Sequence, residues 1–576
     1  MGLSVPASGD QRVEGDQEQP GAGDQPSKGR EIAAPGARDA IVLAIAVVVF
    51  LALSLQNIAL PGLYYDEALD VVPAMQLLQG TPVEPVRGAG LTLAGRTFPL
   101  MVMDYVGTVN TYLALPLFAV LGISVTSVRL LPILLAVLSL ILGYRLATKL
   151  FDWRVAAFAT LLVATDPSFV FFSRMGIHVT SVMTVFALGS LLALLRWGRT
   201  GHDRWLGLCG LLLGLGLWAK VLFLWWIVAL AIAWIVWRSV GRRSGAGGSL
   251  QKGRMGARGV LILLAGIVAG SAPLWLYNLM SGGTFTSFGR NAVVTDQGVS
   301  NLKVIANMAT AIDSFRVLLD GRYFWFLGKQ LANPLNVIAF AAAAVGGLLL
   351  LRWRREWKAG FALILALIIV IVAESVFTVS GIWATHLYIL LPLPQIIVAV
   401  AVVALAGRLA AGRLAKERRW LQVGLIGLVL AVGMLANVRV DRAYDAELER
   451  SRGLSRFSDA IYKLADWLDQ RRYATVYAVD WGIQKNVQLL TEGRVNPVEI
   501  FSFPGEAPEA FVQRLEKAFN DPSAVFILHS KEDTIYEMYP VLQATADRLG
   551  ITVKIIDATR DNSGAPVHVM WVAKKK

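Results

Sequence analysis

The sequence predicts a polytopic α-helical membrane protein of about eleven transmembrane helices with a C-terminal extracytoplasmic α/β domain. Three observations predict it. The 576 residues are 55% hydrophobic and only 16% charged, with a mean hydropathy of +0.56, where soluble domains run near roughly half apolar and roughly a quarter charged. Apolar runs of membrane-spanning length recur between residues 40 and 437. Beyond residue 440 the pattern changes to short strands alternating with amphipathic helices, as in a small α/β domain.

In chain order, residues 1–38 are polar and rich in Gly, Pro, Gln and Asp, which predicts a disordered cytoplasmic tail. No cleavable signal is expected, so the first apolar run remains as a signal anchor. Spans are expected near 39–60, 128–150, 155–172, 179–197, 205–219, 221–237, 259–279, 336–351, 360–379, 387–406 and 420–438. The transmembrane domain then covers 39–439, with its first outer loop at 61–127, and the α/β domain covers 440–576. Residues 106–123 are read as an interfacial helix because of charge parity. With the N-terminus inside and this segment not crossing, the basic loops at 197–204, 238–258, 352–358 and 407–419 all become cytoplasmic, as the positive-inside rule requires.

The same rule accounts for the net charge of +13. Its basic residues lie in short loops between apolar runs, which points away from nucleic acid as a partner. The single cysteine, Cys209, excludes an intramolecular disulfide and a cysteine-based metal cluster.

This topology gathers the unusual residues on the outer face. LPGLYYDEALDVV at 60–72 places Tyr65, Asp66 and Glu67 where the chain leaves the first span, and PLMVMDYVGTVNTYL adds Asp104. ATDPSFVFFSRMGIHVT contributes Asp166, Arg174 and His178; Lys220 stands between two very apolar stretches, and later outer segments offer Arg322 and His386. A carboxylate can take a proton from an acceptor hydroxyl or amine, while Arg or Lys at headgroup level can hold a phosphate leaving group. Each residue also fits a structural role. Asp66 and Glu67 suit the first turn of a surface helix, and Asp166 before Pro167 suits a helix cap or turn. Lys220 can snorkel, Arg174 can anchor a boundary, and His386 can pack at the interface.

Taken in order, the first span followed by Tyr-Asp-Glu-Ala, the outer segment YLALPLFAVLG, the span SVRLLPILLAVLSLILGYRLATKLF and Asp-Pro with SRMG resemble the GT-C superfamily of membrane glycosyltransferases. The branch concerned is that of the protein O-mannosyltransferases and aminoarabinose transferases. The likeness runs by motif over residues 40–220 and by layout over 221–440. It implies inverting transfer of a sugar from a polyprenyl-phosphate-sugar, as lipid-linked co-substrate, to an acceptor protein, lipid or cell-envelope glycan on the outer face of the plasma membrane. It further implies Asp66 as base, Glu67 as a group that positions the acceptor or tunes the base, and Asp166 completing the site. Arg174 and Lys220 match the basic residues that bind the lipid phosphate. No metal cofactor is expected. The sequence departs from relatives at His178 and Val179, where an acid follows Ser-Arg, and at Asp104, where a Pro-Pro pattern stands, so sugar and acceptor are not carried over. The alternative is a transporter or flippase for a lipid-linked glycan, which would place polar residues at the bilayer midplane and on both faces.

Overall fold

The computed structural model describes residues 36–575 apart from 177–178, 244–252, 254, 410–414, 502–507 and 536–537. The tail expected at 1–38 therefore lies almost wholly outside the described residues, as does His178.

Helix α1 (Ala37–Ser54) leads into a long first connection holding α2 (Tyr65–Gln79), two small hairpins and α3 (Val109–Leu121). There follow α4 (Val125–Leu150), α5 (Trp153–Ala164), α6 (Pro167–Met175), α7 (Thr180–Thr200), α8 (Asp203–Ala219) and α9 (Leu224–Arg243). Next come α10 (Ala257–Gly270), α11 (Ala272–Ser281), α12 (Gly283–Asn291), α13 (Val304–Asp320), α14 (Pro334–Leu350) and α15 (Lys358–Glu374). A short α16 (Ala384–Leu387), α17 (Leu393–Leu409) and the long α18 (Ala415–Ser451) complete the helical part.

Among the described residues six helices are long and apolar enough to cross a bilayer, and nine if the pairs α5–α6, α10–α11 and α16–α17, bent by 59°, 61° and 50°, are each one span. This is a multi-pass membrane protein. The two other expected spans fall on α8 and α14, whose 17 residues each rise about 26 Å, a little short of the ~30 Å hydrocarbon layer. Helix α3, at 13 residues, rises only about 20 Å and is too short to span.

Close approach is built in where glycines repeat every four residues. A Cβ on Gly210 or Gly214 of α8 would stand 2.3 or 2.2 Å from the carbonyl oxygens of Leu263 and Ile267, and one on Gly270 of α10 would stand 2.3 Å from that of Leu211. Two small-xxx-small faces thus bring the backbones of α8 and α10 together, as lipid-embedded helices require when no hydrophobic force drives them together.

The first connection is short on helix because polar turns interrupt it. Strands β1 (Gly90–Leu93) and β2 (Arg96–Pro99) pair around Ala94 and Gly95, both at positive φ, and β3 (Met101–Met103) pairs with β4 (Val106–Gly107). Beyond α18, a five-stranded sheet is built from β5 (Thr475–Ala478), β6 (Val498–Glu499), β7 (Ala524–His529), β8 (Ile551–Arg560) and β9 (Pro566–Lys575), in the order β6-β5-β7-β9-β8. All six residues of β7 are buried, as a continuous apolar run in a central strand demands. Helices α19 (Ala460–Arg471), α20 (Gln484–Leu490), α21 (Pro508–Phe519) and α22 (Tyr539–Arg548) accompany the sheet. The apolar runs at 474–480 and 524–530, among the short strands expected beyond residue 440, fall on β5 and β7.

The sheet unit grips α2. Asn486 Nδ2 donates to the Leu63 carbonyl at 3.0 Å and the Tyr65 hydroxyl to Glu499 at 2.7 Å. Tyr64 stacks on Phe457 with centroids 4.2 Å apart, and Tyr65 lies 4.5 Å from Trp481.

The α8–α10 contact generates a direct expectation. Gly214→Val should cost about 1–3 kcal/mol through overpacking, read as a lower melting temperature of the detergent-solubilised protein, whereas Gly424→Val, where a Cβ meets nothing within 4 Å, should leave it unchanged.

Candidate active site

The site begins with the first turn of α2, where Asp66 and Glu67 sit on backbone amides that have no intrahelical acceptor and on the positive end of the helix dipole. The two acids have different surroundings. Glu67 accepts from the Tyr64 amide at 3.1 Å and takes a bidentate pair from Arg129 of α4, at 2.9 Å to Nε and 3.0 Å to Nη2. Both side chains are buried. Arg129 also donates to the carbonyls of Ile58 and Gly62 at 2.8 and 3.2 Å, so the guanidinium ties the end of the first span to the start of α2.

Arg174 does related work one layer away. It donates to the carbonyls of Gln56, Asn57 and Leu60 and faces Asp445 of α18 at 3.4 Å. It is buried, and in this arrangement its donors serve the chain's own backbone. The phosphate role expected for Arg174 is not supported by this placement.

Asp66 has other neighbours. Its charge acts on Lys220, on Tyr64 and on Tyr323. Asp70, one turn further along α2, acts on Lys220 as well; Asn110 Nδ2 holds its Oδ2 at 2.9 Å and Thr111 Oγ1 holds its carbonyl at 2.6 Å. Lys220 occupies the break between α8 and α9, where extended backbone bridges it to Val106 and lets Val221 donate to the Tyr105 carbonyl at 3.0 Å. That bridge carries the lysine to the acids. Burial pushes the Lys220 ammonium down to about 8, opposed by Asp66 and Asp70. Burial likewise raises the Tyr64 hydroxyl, and raises that of Tyr323 to about 12, Asp66 adding to both.

On its other side Lys220 lines a small pocket with Thr180, Met183, Leu222, Thr385, His386 and Ile389. Of the residues singled out in the sequence, Asp66, Lys220 and His386 therefore belong to one region, with Glu67 fixed behind it.

The others are elsewhere engaged. Asp166 caps α6, accepting from the Phe169 amide at 3.1 Å, and receives Gln395 of α17 at 2.9 Å. Of its two readings, the cap is the one visible in the geometry. Asp104, in the turn between β3 and β4, takes a bidentate pair from Arg87 at 2.7 and 2.8 Å and the Tyr277 hydroxyl at 2.6 Å. Burial alone would raise its carboxyl, but those hydrogen bonds outweigh it and hold Asp104 below the usual carboxylate range. Arg322 pairs with Asp320 at 3.1 Å. Tyr65 points to Glu499, away from the substrate role expected of it.

Sequence reasoning missed Arg129, Tyr323, Asn110 and Glu499. An arginine inside an apolar span was the available signal for Arg129, since a charge there needs a partner; the other three carry none in one sequence. Among the described residues no three His, Cys, Asp or Glu side chains stand together so as to hold a metal ion.

A sequence model of the family described as dolichyl-phosphate-mannose-protein mannosyltransferase matches residues 108–268, from the start of α3 into α10. The crystal structure of ArnT from Cupriavidus metallidurans in the apo state is 13% identical, with a TM-score of 0.58 over 93% of this chain and 97% of that one. The same protein bound to undecaprenyl phosphate gives 13%, 0.54, 94% and 98%. An apo oligosaccharyltransferase from Archaeoglobus fulgidus gives 14% and 0.49 over 90% of this chain and 69% of that one. No curated protein matches by sequence. At these identities the likeness to solved structures is one of fold. The chain has the GT-C fold and resembles the mannosyltransferase and aminoarabinose-transferase branch.

The Glu67–Arg129 pair can be tested on stability alone. Arg129→Met strands a buried carboxylate and should cost about 3–5 kcal/mol, and Glu67→Gln added to it should recover part of the loss. An unchanged melting temperature for Arg129→Met would show that the pair carries no weight.

Proposed function

We propose that this GT-C-like membrane protein is an inverting glycosyltransferase that moves a sugar from a polyprenyl-phosphate-sugar to an acceptor protein, lipid or cell-envelope glycan at the outer face of the membrane. The observation that carries the reading is the convergence of the Asp66 carboxylate and the Lys220 ammonium, from a surface helix and a helix break, at one place beside the bilayer. The fold likeness to ArnT and the match to a mannosyltransferase family support the same chemistry.

In this reading the eleven spans put α2 and the sheet unit outside and the N-terminus inside. Asp66 takes the proton of the acceptor hydroxyl or amine as its oxygen or nitrogen bonds to the anomeric carbon. The bond from that carbon to the phosphate oxygen breaks on the opposite face, and the electron pair leaves with the phosphate. Lys220 neutralises the charge that develops there, with His386 and Thr180 beside it in the pocket. An ordinary carboxylate suffices as base because the leaving group is a stabilised phosphate. Glu67 positions Asp66 through Arg129 and does not touch substrate. Asp166 and Arg174 hold the bend of α5–α6 and the exit of α1. The residues bind both substrates and hold them in line, which supplies much of the acceleration in such transfers.

Asp66→Asn is expected to reduce transfer by about 10²–10⁴-fold while the protein still binds polyprenyl phosphate. Membranes supplied with labelled polyprenyl-phosphate sugars and compared by mass spectrometry would show it. A covalent sugar product made equally by wild type and Asp66→Asn would remove the base assignment; no product with either, together with changed sidedness of the lipid, would turn the reading toward a flippase.

Lys220 gives a pH prediction. The group is cationic below about 8, so its hold on the phosphate is present at neutral pH and lost as pH rises through that value. The KM for donor should climb on the alkaline side. In Lys220→Arg, whose guanidinium stays charged, the climb should disappear even if the overall rate falls.

A further inference from the structure

The segment joining α11 to the site buries polar side chains and exposes large apolar ones, although Ala311, Leu318 and Leu319 of α13 are buried and Lys303, Thr310 and Asp313 exposed. On α12 the residues turned inward are Thr284, Ser287 and Asn291, all buried, while Phe285 is 63% exposed. On α13 and the turn before it, Asn301, Asn307 and Ser314 are buried, while Ile305 is 89% and Ile312 56% exposed. Ile305, Ala309 and Ile312 follow the i, i+4, i+7 spacing of one helix stripe. A helix in water shows the reverse, with large apolar side chains inward and polar ones outward.

The inward polar groups have a definite task. Asn307 Nδ2 donates to the Val376 carbonyl at 3.0 Å, Ser314 Oγ to that of Ile382 at 3.1 Å and Asn301 Nδ2 to that of Thr378 at 2.9 Å; Asn301 Oδ1 in turn accepts from the Thr378 amide at 3.0 Å. They satisfy the irregular backbone between α15 and α16 without water. That is the condition for non-helical backbone at membrane depth, where each unsatisfied group costs several kcal/mol.

The apolar surface is also continuous with a lipid-facing flank. Leu261, Leu264, Val268 and Leu279 are exposed along the bent span α10–α11, and α12 follows after a single residue.

We infer that residues 280–312, outside every expected span, are seated in the outer leaflet, with acyl chains of bilayer lipids covering Phe285, Ile305 and Ile312. The inference rests on the chain being a multi-pass membrane protein and not on glycosyl transfer. Lys303, just before α13, and Arg316, one turn beyond Ile312, are exposed, suited to headgroup phosphates. Helix α13 then runs from lipid to the site, since Tyr323, just beyond its C-terminus, feels the charge of Asp66.

Site-directed spin labelling of the full chain in phosphatidylglycerol–phosphatidylethanolamine vesicles tests it. Single cysteines replace Ile305, Ile312 and, as an exposed comparator on the polar side of α13, Thr310; labelling of the wild type gives the background from buried Cys209. Labels at 305 and 312 should be relaxed more by oxygen than by a water-soluble nickel chelate, relative to the label at 310. Greater relaxation by the chelate at 305 and 312 would overturn the inference. So would shielding from both probes, which would mean that protein, such as a second copy of the chain, covers the surface. Neither result bears on whether Asp66 is a base.

Discussion

The buried pair between Glu67 and Arg129 is the constraint on which the outer half of the molecule depends. A carboxylate and a guanidinium taken out of water are each strongly destabilised unless their geometry is nearly complete. Here it is: Glu67 accepts from Arg129 twice and from the Tyr64 amide once, while Arg129 spends its remaining donors on carbonyls of the chain leaving α1. Any rotation of α2 about its axis would break several of these bonds together. The helix start, and with it the direction of Asp66, is therefore held by the low dielectric of its surroundings.

The second set of charges repeats the logic. Arg174 binds three more carbonyls of the same turn and is balanced by Asp445. Two arginines, one from α4 and one from α6, thus cage residues 56–62, which are irregular, next to apolar spans, and in need of donors for their carbonyls. Both guanidiniums are engaged by scaffold, whereas Lys220, a compact ammonium whose charge responds to its surroundings, faces Asp66 and Asp70. Scaffold and chemistry are thereby divided between two kinds of basic residue.

How much of this could be read from the sequence follows from the range of the interactions concerned. Apolar length is local, so each of the eleven predicted spans coincides with a helix or a bent pair, whereas the segment 106–123 is set apart by the charge parity of the loops, and its helix α3 has only 13 residues. Alternation is local too, and strands β5 and β7 fall where apolar runs suggested. The Asp66-Glu67 pair is visible because two adjacent acids beside a span are unusual. The division of labour between them is not, since it depends on Arg129, 62 residues away. The same holds for Arg174, whose partner Asp445 is 271 residues distant, and for Asp104, whose neighbours Arg87 and Tyr277 tie the first connection to α11. Charge type is legible from sequence; the partner that exhausts it is not.

The sheet unit adds a constraint of a different kind. It reaches α2 through groups flanking Asp66 on the chain: Asn486 holds the Leu63 carbonyl, Phe457 stacks on Tyr64, and Glu499 with Trp481 holds Tyr65. Burial raises the Glu499 carboxyl although Tyr65 donates to it, so this contact is a largely water-free one. Three consecutive residues before the acid are thus gripped from the sheet side, while the residue after it is gripped from α4. Asp66 lies between the two clamps, and its charge reaches Lys220 and Tyr323 as well as Tyr64. A carboxylate whose helix start is held between two rigid bodies has its direction set in advance by its neighbours' bonds, which is the preorganisation that the chemistry proposed for it requires.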